Sequence, residues 1–86
     1  MKEIDIYIGR RIREAREDLG WNQKQLGELM SYTPMAISHF EKGTRQVRAT
    51  NLYAFAKVLQ KPLNYFVPNS TLSEPLAPPI QTIKSP

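Results

Sequence analysis

Between Asn22 and Gly43 the chain carries two helix starts separated by one sharp break, and this limits the fold more than anything else in its 86 residues. Asn22 is a good N-cap, and Gln25 three positions on can reach back to the cap's own amide. Trp21 and Leu26 stand at the two positions where an apolar staple closes over a helix start. The second start is Thr33 followed by Pro34, a cap and then a first helical residue whose missing N–H does no harm. Gly43 marks the end. Only Met30, Ser31 and Tyr32 lie between, too few for anything but a tight turn, so the stretch is predicted as helix, turn, helix.

The apolar spacing supports two packed helices. Leu26, Leu29 and Met30 make one stripe and Ile37 with Phe40 another, at three- and four-residue steps. Left on the outer face of the second helix are Pro34, Met35, Ser38, His39 and Lys42. That face holds no acid, whereas an ordinary solvated face is laced with both signs.

The residues Ile8-Gly9-Arg10-Arg11-Ile12-Arg13, then Arg16, then Gln23 and Leu26, then Ile37 and Phe40-Glu41-Lys42-Gly43, then Leu52, Ala56 and Leu59 stand in one register without a gap. This pattern resembles the phage repressor and Cro-type helix-turn-helix family, also called Xre-like transcriptional regulators, over roughly Ile4 to Phe66. The resemblance implies an all-α fold: a compact five-helix, lambda-repressor-like DNA-binding domain over residues 1–67. It also implies that Arg16 and Glu41 form a partly buried ion pair. In such a motif the second helix, here 33–42, lies in the major groove while the first helix and the loops hold phosphates. Carried over by position, Thr33, Pro34, Met35, Ser38 and His39 become base contacts. Gln23, Lys42, Thr44, Arg45 and Arg48 become phosphate contacts.

Several residues depart from the family pattern. Pro34 and Met35 can offer only apolar contact, for instance to a thymine methyl, so hydrogen-bonded readout falls to Ser38 and His39. His39 can donate to a guanine acceptor or to a phosphate. Ser31 replaces the glycine common in the turn, where a left-handed backbone penalises a side chain. Gly27 replaces the usual alanine at the helix crossing, at about 1 kcal/mol in helix propensity.

The flanking elements read as follows. A helix runs from about Asp5 to Leu19, with Ile8, Ile12, Ala15 and Leu19 on one face, Gly20 as its stop and Arg10, Arg11 and Arg13 solvated. After a loop, a fourth helix covers Ala49 to Leu59 with Leu52, Phe55, Ala56 and Leu59 inward. Pro62 opens a short fifth helix with Leu63 and Phe66 inward; the resemblance implies that this last element contributes to a two-fold contact. Tyr53 and Tyr65 are candidate surface aromatics.

From residue 68 to 86, Pro68, Pro75, Pro78, Pro79 and Pro86 are interleaved with Ser and Thr, which predicts a disordered tail or linker. Its spaced Leu72, Leu76, Ile80 and Ile83 could dock on a protein partner. Asn69-Ser70-Thr71 matches a glycosylation sequon by chance.

Net charge is +4, and its distribution says more than its size. Between Glu41 and Glu74 there is no acid, while Lys42, Arg45, Arg48, Lys57 and Lys61 fall in that span, as suits a phosphate backbone. The chain has no cysteine, hence no disulfide or thiolate metal site. It shows neither a signal peptide nor a membrane-spanning run, and the expected location is cytoplasmic in a bacterial or phage-encoded protein. With one histidine and no nucleophile–base pair, metal cluster or phosphate-binding glycine loop, catalysis, cofactor and metal are not expected.

The expected function is sequence-specific binding of double-stranded DNA by a transcriptional regulator, a repressor acting as a homodimer on a pseudo-palindromic operator. Two related alternatives are an antitoxin-like module whose tail 69–86 binds a protein and the DNA-binding part of a longer regulator. A third, a protein-interaction domain that has lost DNA binding, need not keep the basic segment.

Overall fold

The computed structural model describes residues 2–68. Helix α1 spans Glu3–Asp18, α2 Gln23–Met30, α3 Pro34–Lys42 and α4 Ala49–Leu59, followed by one 3-10 turn at Leu63–Tyr65. The described residues contain no strand. The tail expected beyond residue 68 lies outside them.

Each helix starts where its capping chemistry is. Asn22 and Gln25 form the reciprocal cap of α2, with both hydrogen bonds at 2.8 Å. Thr33 Oγ1 accepts from the Ala36 amide at 3.1 Å at the head of α3. Helix α1 begins at Glu3, earlier than expected, because Glu3 and Asp5 place negative charge in its first turn against the helix dipole.

α3 is the centre of the packing: α1 and α2 both lie against it, and α4 closes over α1 and α2. Ile12, Leu26, Ile37, Phe40, Phe55 and Leu59 are fully buried between them. Phe40 meets Phe55 edge to face at 5.3 Å and Tyr32 at 5.2 Å. Helices α1 and α3 approach unusually closely at Gly9. A β-carbon there would stand 2.6 Å from the Glu41 carbonyl oxygen and would also collide with that of Phe40.

Three expectations are corrected. The fifth helix is only the 3-10 turn: Gln60 adopts a left-handed φ of 64° and Pro62 is extended, leaving a few residues to return Phe66 to the core. Within that turn Phe66 is fully buried but Leu63 is exposed. Leu29 is 56% exposed. In α2 Leu26 and Gly27 are buried and Met30 is half-buried, and Leu29 lies about 60° outside that arc at 3.6 residues per turn.

Arg11 is not a freely solvated arginine. Its Nε donates to the Tyr65 carbonyl at 2.9 Å, its Nη1 pairs with Glu14 at 2.7 Å, and its guanidinium lies 3.7 Å from the Tyr65 ring centroid. It ties the 3-10 turn to α1. No helix among the described residues is long and apolar enough to cross a membrane.

Because all three atoms nearest a β-carbon at Gly9 belong to the backbone of Phe40 and Glu41, the fold cannot yield there by moving a side chain. Gly9→Ala should lower stability by about 1–3 kcal/mol despite the better helix propensity of alanine. Urea unfolding followed by circular dichroism measures this; an unchanged or raised midpoint would mean that the helices are farther apart.

Candidate nucleic-acid interface

The site begins with a buried fork. Arg16 of α1 donates from Nε to Glu41 Oε2 at 2.7 Å and from Nη2 to Oε1 at 3.1 Å, while its Nη1 reaches the Trp21 carbonyl at 2.8 Å. The two side chains are 10% and 4% exposed. The hydrogen bonds from Arg16 to Glu41 raise the guanidinium's pKa above its ordinary value, outweighing the opposing effect of burial. Stability drawn from that rise is complete below the ordinary arginine pKa and is lost only at more alkaline pH, so the cation persists throughout the working range. The pair implied by the family resemblance is present and fixes α3 against α1.

Gln23 joins the same network: its Nε2 donates to Glu41 Oε1 at 3.1 Å. One of its two amide hydrogens is therefore turned inward. The other, with the amide of this first residue of α2, remains for the outside.

The turn between α2 and α3 is held from both sides. Ser31 takes a left-handed φ of 63°, as expected where the family often has glycine. The Tyr32 amide donates to the Gly27 carbonyl at 2.8 Å. Gly27 is glycine for the turn rather than for a helix crossing, since a β-carbon would stand 2.5 Å from the Tyr32 carbonyl oxygen. The Tyr32 hydroxyl accepts from Asn51 Nδ2 of α4 at 2.9 Å, and Asn51 Oδ1 in turn accepts from the Arg48 amide at 3.3 Å.

With α3 fixed, Thr33, Pro34, Met35 and His39 are exposed and Ser38 is partly buried. Among the described residues Met35 is the most exposed large apolar side chain, at 70%. Of the five residues expected to face the groove, four are thus exposed and Ser38 is half-buried.

Lys42, Arg45 and Arg48 are exposed where α3 ends and α4 begins. Arg45 has a seat: its guanidinium lies 4.7 Å from the Phe40 ring centroid and 5.1 Å from that of Tyr32. The basic span divides here. Lys57 stands in the last turn of α4, about 13 Å along the helix from Arg48, and Lys61 follows the helix end and pairs with Asp18 at 3.7 Å. They do not extend the patch beside α3.

Thr44, expected as a phosphate contact, is exposed, and its hydroxyl lies against His39. Its Oγ1 is 2.9 Å from His39 Nδ1 and 3.2 Å from the His39 carbonyl, and its amide bonds that carbonyl at 3.1 Å. The physical reason is the left-handed Gly43, φ 80°, which folds the next residues back over the last turn of α3. Sequence reasoning missed this contact and the Tyr32–Asn51 link. A Gly followed by a hydroxyl residue at a helix end carries the first; nothing local signals the second. Among the described residues no three His, Cys, Asp or Glu side chains form a possible metal site.

A family model described as helix-turn-helix matches residues 12–66. The chain belongs to the phage repressor and Cro-type helix-turn-helix family of transcriptional regulators. An HTH-type transcriptional regulator of Sinorhizobium medicae is 41% identical over 63 residues, covering 73% of this chain and 45% of the relative. The HTH-type transcriptional regulator DicA of Escherichia coli is 33% identical over 60 residues, covering 70% and 44%. The chain thus spans about half the length of the curated relatives it matches. Among solved structures, the P22 c2 repressor protein in complex with a synthetic operator superposes with a TM-score of 0.64 at 33% identity, covering 70% of this chain and 91% of that one. The hydroxypropylphosphonic acid epoxidase of S. wedmorenis superposes at 0.71 with 22% identity over 78% of this chain and 36% of that enzyme, a likeness of fold alone.

Removing one partner of a fork this buried strands the other charge. Arg16→Met should cost about 3–5 kcal/mol of unfolding free energy in denaturant titration. A loss below about 1 kcal/mol, the range of exposed pairs, would show that α3 is held by apolar packing alone.

Proposed function

We propose that this chain is a sequence-specific double-stranded DNA-binding module of a transcriptional repressor, with α3 in the major groove and two copies on a pseudo-palindromic operator. The observation that carries the reading is the outward face of α3: acid-free, exposed, clamped from behind by the Arg16–Glu41 fork and bordered by Lys42, Arg45 and Arg48. An α-helix is about 10–12 Å across with its side chains and enters a major groove about 12 Å wide.

In this reading Thr33, Pro34, Met35, Ser38 and His39 meet base edges, the apolar pair selecting for thymine methyls. Gln23, Lys42, Arg45 and Arg48 hold phosphates on either side, Arg45 from its aromatic seat. The complex with synthetic operator formed by the P22 c2 repressor supports the assignment of DNA as the partner. A two-fold pair of domains would place its half-sites about 10 bp apart, one helical turn.

Selection from a randomised duplex pool, with sequencing of the bound fraction, tests the reading. It should recover a two-fold symmetric site. Salt-dependent binding without an enriched site would leave a non-specific binder and overturn the operator claim.

Arg45→Ala should weaken binding to specific and random duplexes alike and make the salt slope shallower by about one phosphate contact, roughly 0.9 in log–log units. Lys57→Ala, at the far end of α4, should leave that slope unchanged. Equal effects of the two substitutions in fluorescence-anisotropy titrations would show that the cations act through net charge.

A further inference from the structure

We propose that Thr44 is a positioning residue that places the proton of neutral His39 on Nδ1, so that His39 Nε2 accepts a hydrogen bond from the exocyclic amine of a cytosine or adenine. The proposal rests on the reading of α3 as the groove helix and deepens it by naming the base edge that His39 reads.

The Thr44 hydroxyl has one hydrogen and two neighbours within bonding distance, His39 Nδ1 at 2.9 Å and the His39 carbonyl oxygen at 3.2 Å. The carbonyl can only accept. If the hydroxyl donates to the carbonyl, its lone pair faces Nδ1, and Nδ1 must carry hydrogen. If it donates to Nδ1 instead, the 3.2 Å approach to the carbonyl oxygen is left without a hydrogen between the two oxygens. Only the first arrangement makes both contacts hydrogen bonds.

The arrangement is imposed by the backbone. Gly43 in the left-handed region turns the chain so that the Thr44 and Arg45 amides both bond the His39 carbonyl, at 3.1 and 3.2 Å. That carbonyl anchors the loop to the last turn of α3 and keeps the Thr44 hydroxyl beside the His39 ring.

With Nδ1 protonated, neutral Nε2 offers a lone pair. In the major groove that suits cytosine N4 and adenine N6, which donate, and excludes guanine O6 and N7, which accept. It equally excludes a phosphate oxygen. The sequence-level expectation that His39 donates to guanine or phosphate is thereby reversed for the neutral ring.

The test has two arms. The chain has one histidine, so its ring nitrogens can be assigned in a long-range nitrogen–proton NMR spectrum without DNA. At about pH 8.5, where an ordinary imidazole is neutral, the hydrogen should sit on Nδ1. Thr44→Val should move it to Nε2 and Thr44→Ser should restore it. A wild-type ring protonated on Nε2, or one indifferent to Thr44→Val, overturns the proposal. In the second arm, duplex selection at the same pH should enrich cytosine or adenine at one position per half-site. Both His39→Ala and Thr44→Val should lose that preference by roughly fivefold or more, with Thr44→Ser retaining it. Guanine at the His39-dependent position overturns the assignment. A chain that selects no site overturns the groove reading and the base contact with it, while the nitrogen spectra still decide where the proton lies.

Discussion

The ion pair between Arg16 and Glu41 is the constraint on which the rest of the structure depends. Two charges this deeply buried are costly to desolvate, and the cost is offset only when geometry is good and the remaining donors find partners. Both conditions hold: the guanidinium makes two parallel bonds to the carboxylate, a third goes to the Trp21 carbonyl, and Gln23 donates to the same carboxylate. A fork of this kind tolerates little rotation of either helix. Gly9 and Gly43 reinforce it, the first admitting the α3 backbone against α1 and the second standing so close to Ile6 that a β-carbon would lie 2.8 Å from its Cα. α3 is thus held along its inner side and at its end by α1, which fixes which face looks outward.

Everything at the outer face inherits that rigidity. Tyr32 joins the turn to α4 through Asn51 and, with Phe40, supports the guanidinium of Arg45, so the loop cation is placed by the same aromatic cluster that fills the core. The His39 carbonyl anchors the loop after α3 in the same way. The core and the exposed face therefore share residues, as expected of a small domain with little core to spare.

Much of this was legible in the sequence because it is written in local chemistry. Asn22 with Gln25, and Thr33 with Pro34, are capping signals whose physics acts within four residues, and both helices begin where they indicate. The ion pair was legible only through the resemblance, since Arg16 and Glu41 lie 25 positions apart. What failed did so for tertiary reasons. Leu29 satisfies helical spacing, yet which arc of so short a helix is covered depends on where α3 sits. Leu63 and the missing fifth helix turn on Gln60, which adopts a left-handed conformation with no glycine to announce it. Arg11 resembles its neighbours in sequence but meets a carbonyl 54 residues away. The basic span looked continuous because sequence cannot show that α4 separates Arg48 from Lys57 and Lys61. At the candidate site, the exposed face of α3 was legible from helical periodicity, whereas the engagement of Thr44 with His39 depended on the backbone turn at Gly43.

The central claim is that one rigid face, built on α3 and bordered by the ends of α2 and α4, meets the DNA. Backbone amide NMR during titration with the selected duplex tests it most directly. The account predicts that the largest shift changes fall on Gln23, on Thr33 to Lys42 and on Arg45 and Arg48, with Lys57, Lys61 and the 3-10 turn little affected within a single domain. Changes concentrated on the C-terminal half of α4 and on Leu63 to Tyr65, with α3 undisturbed, would contradict it.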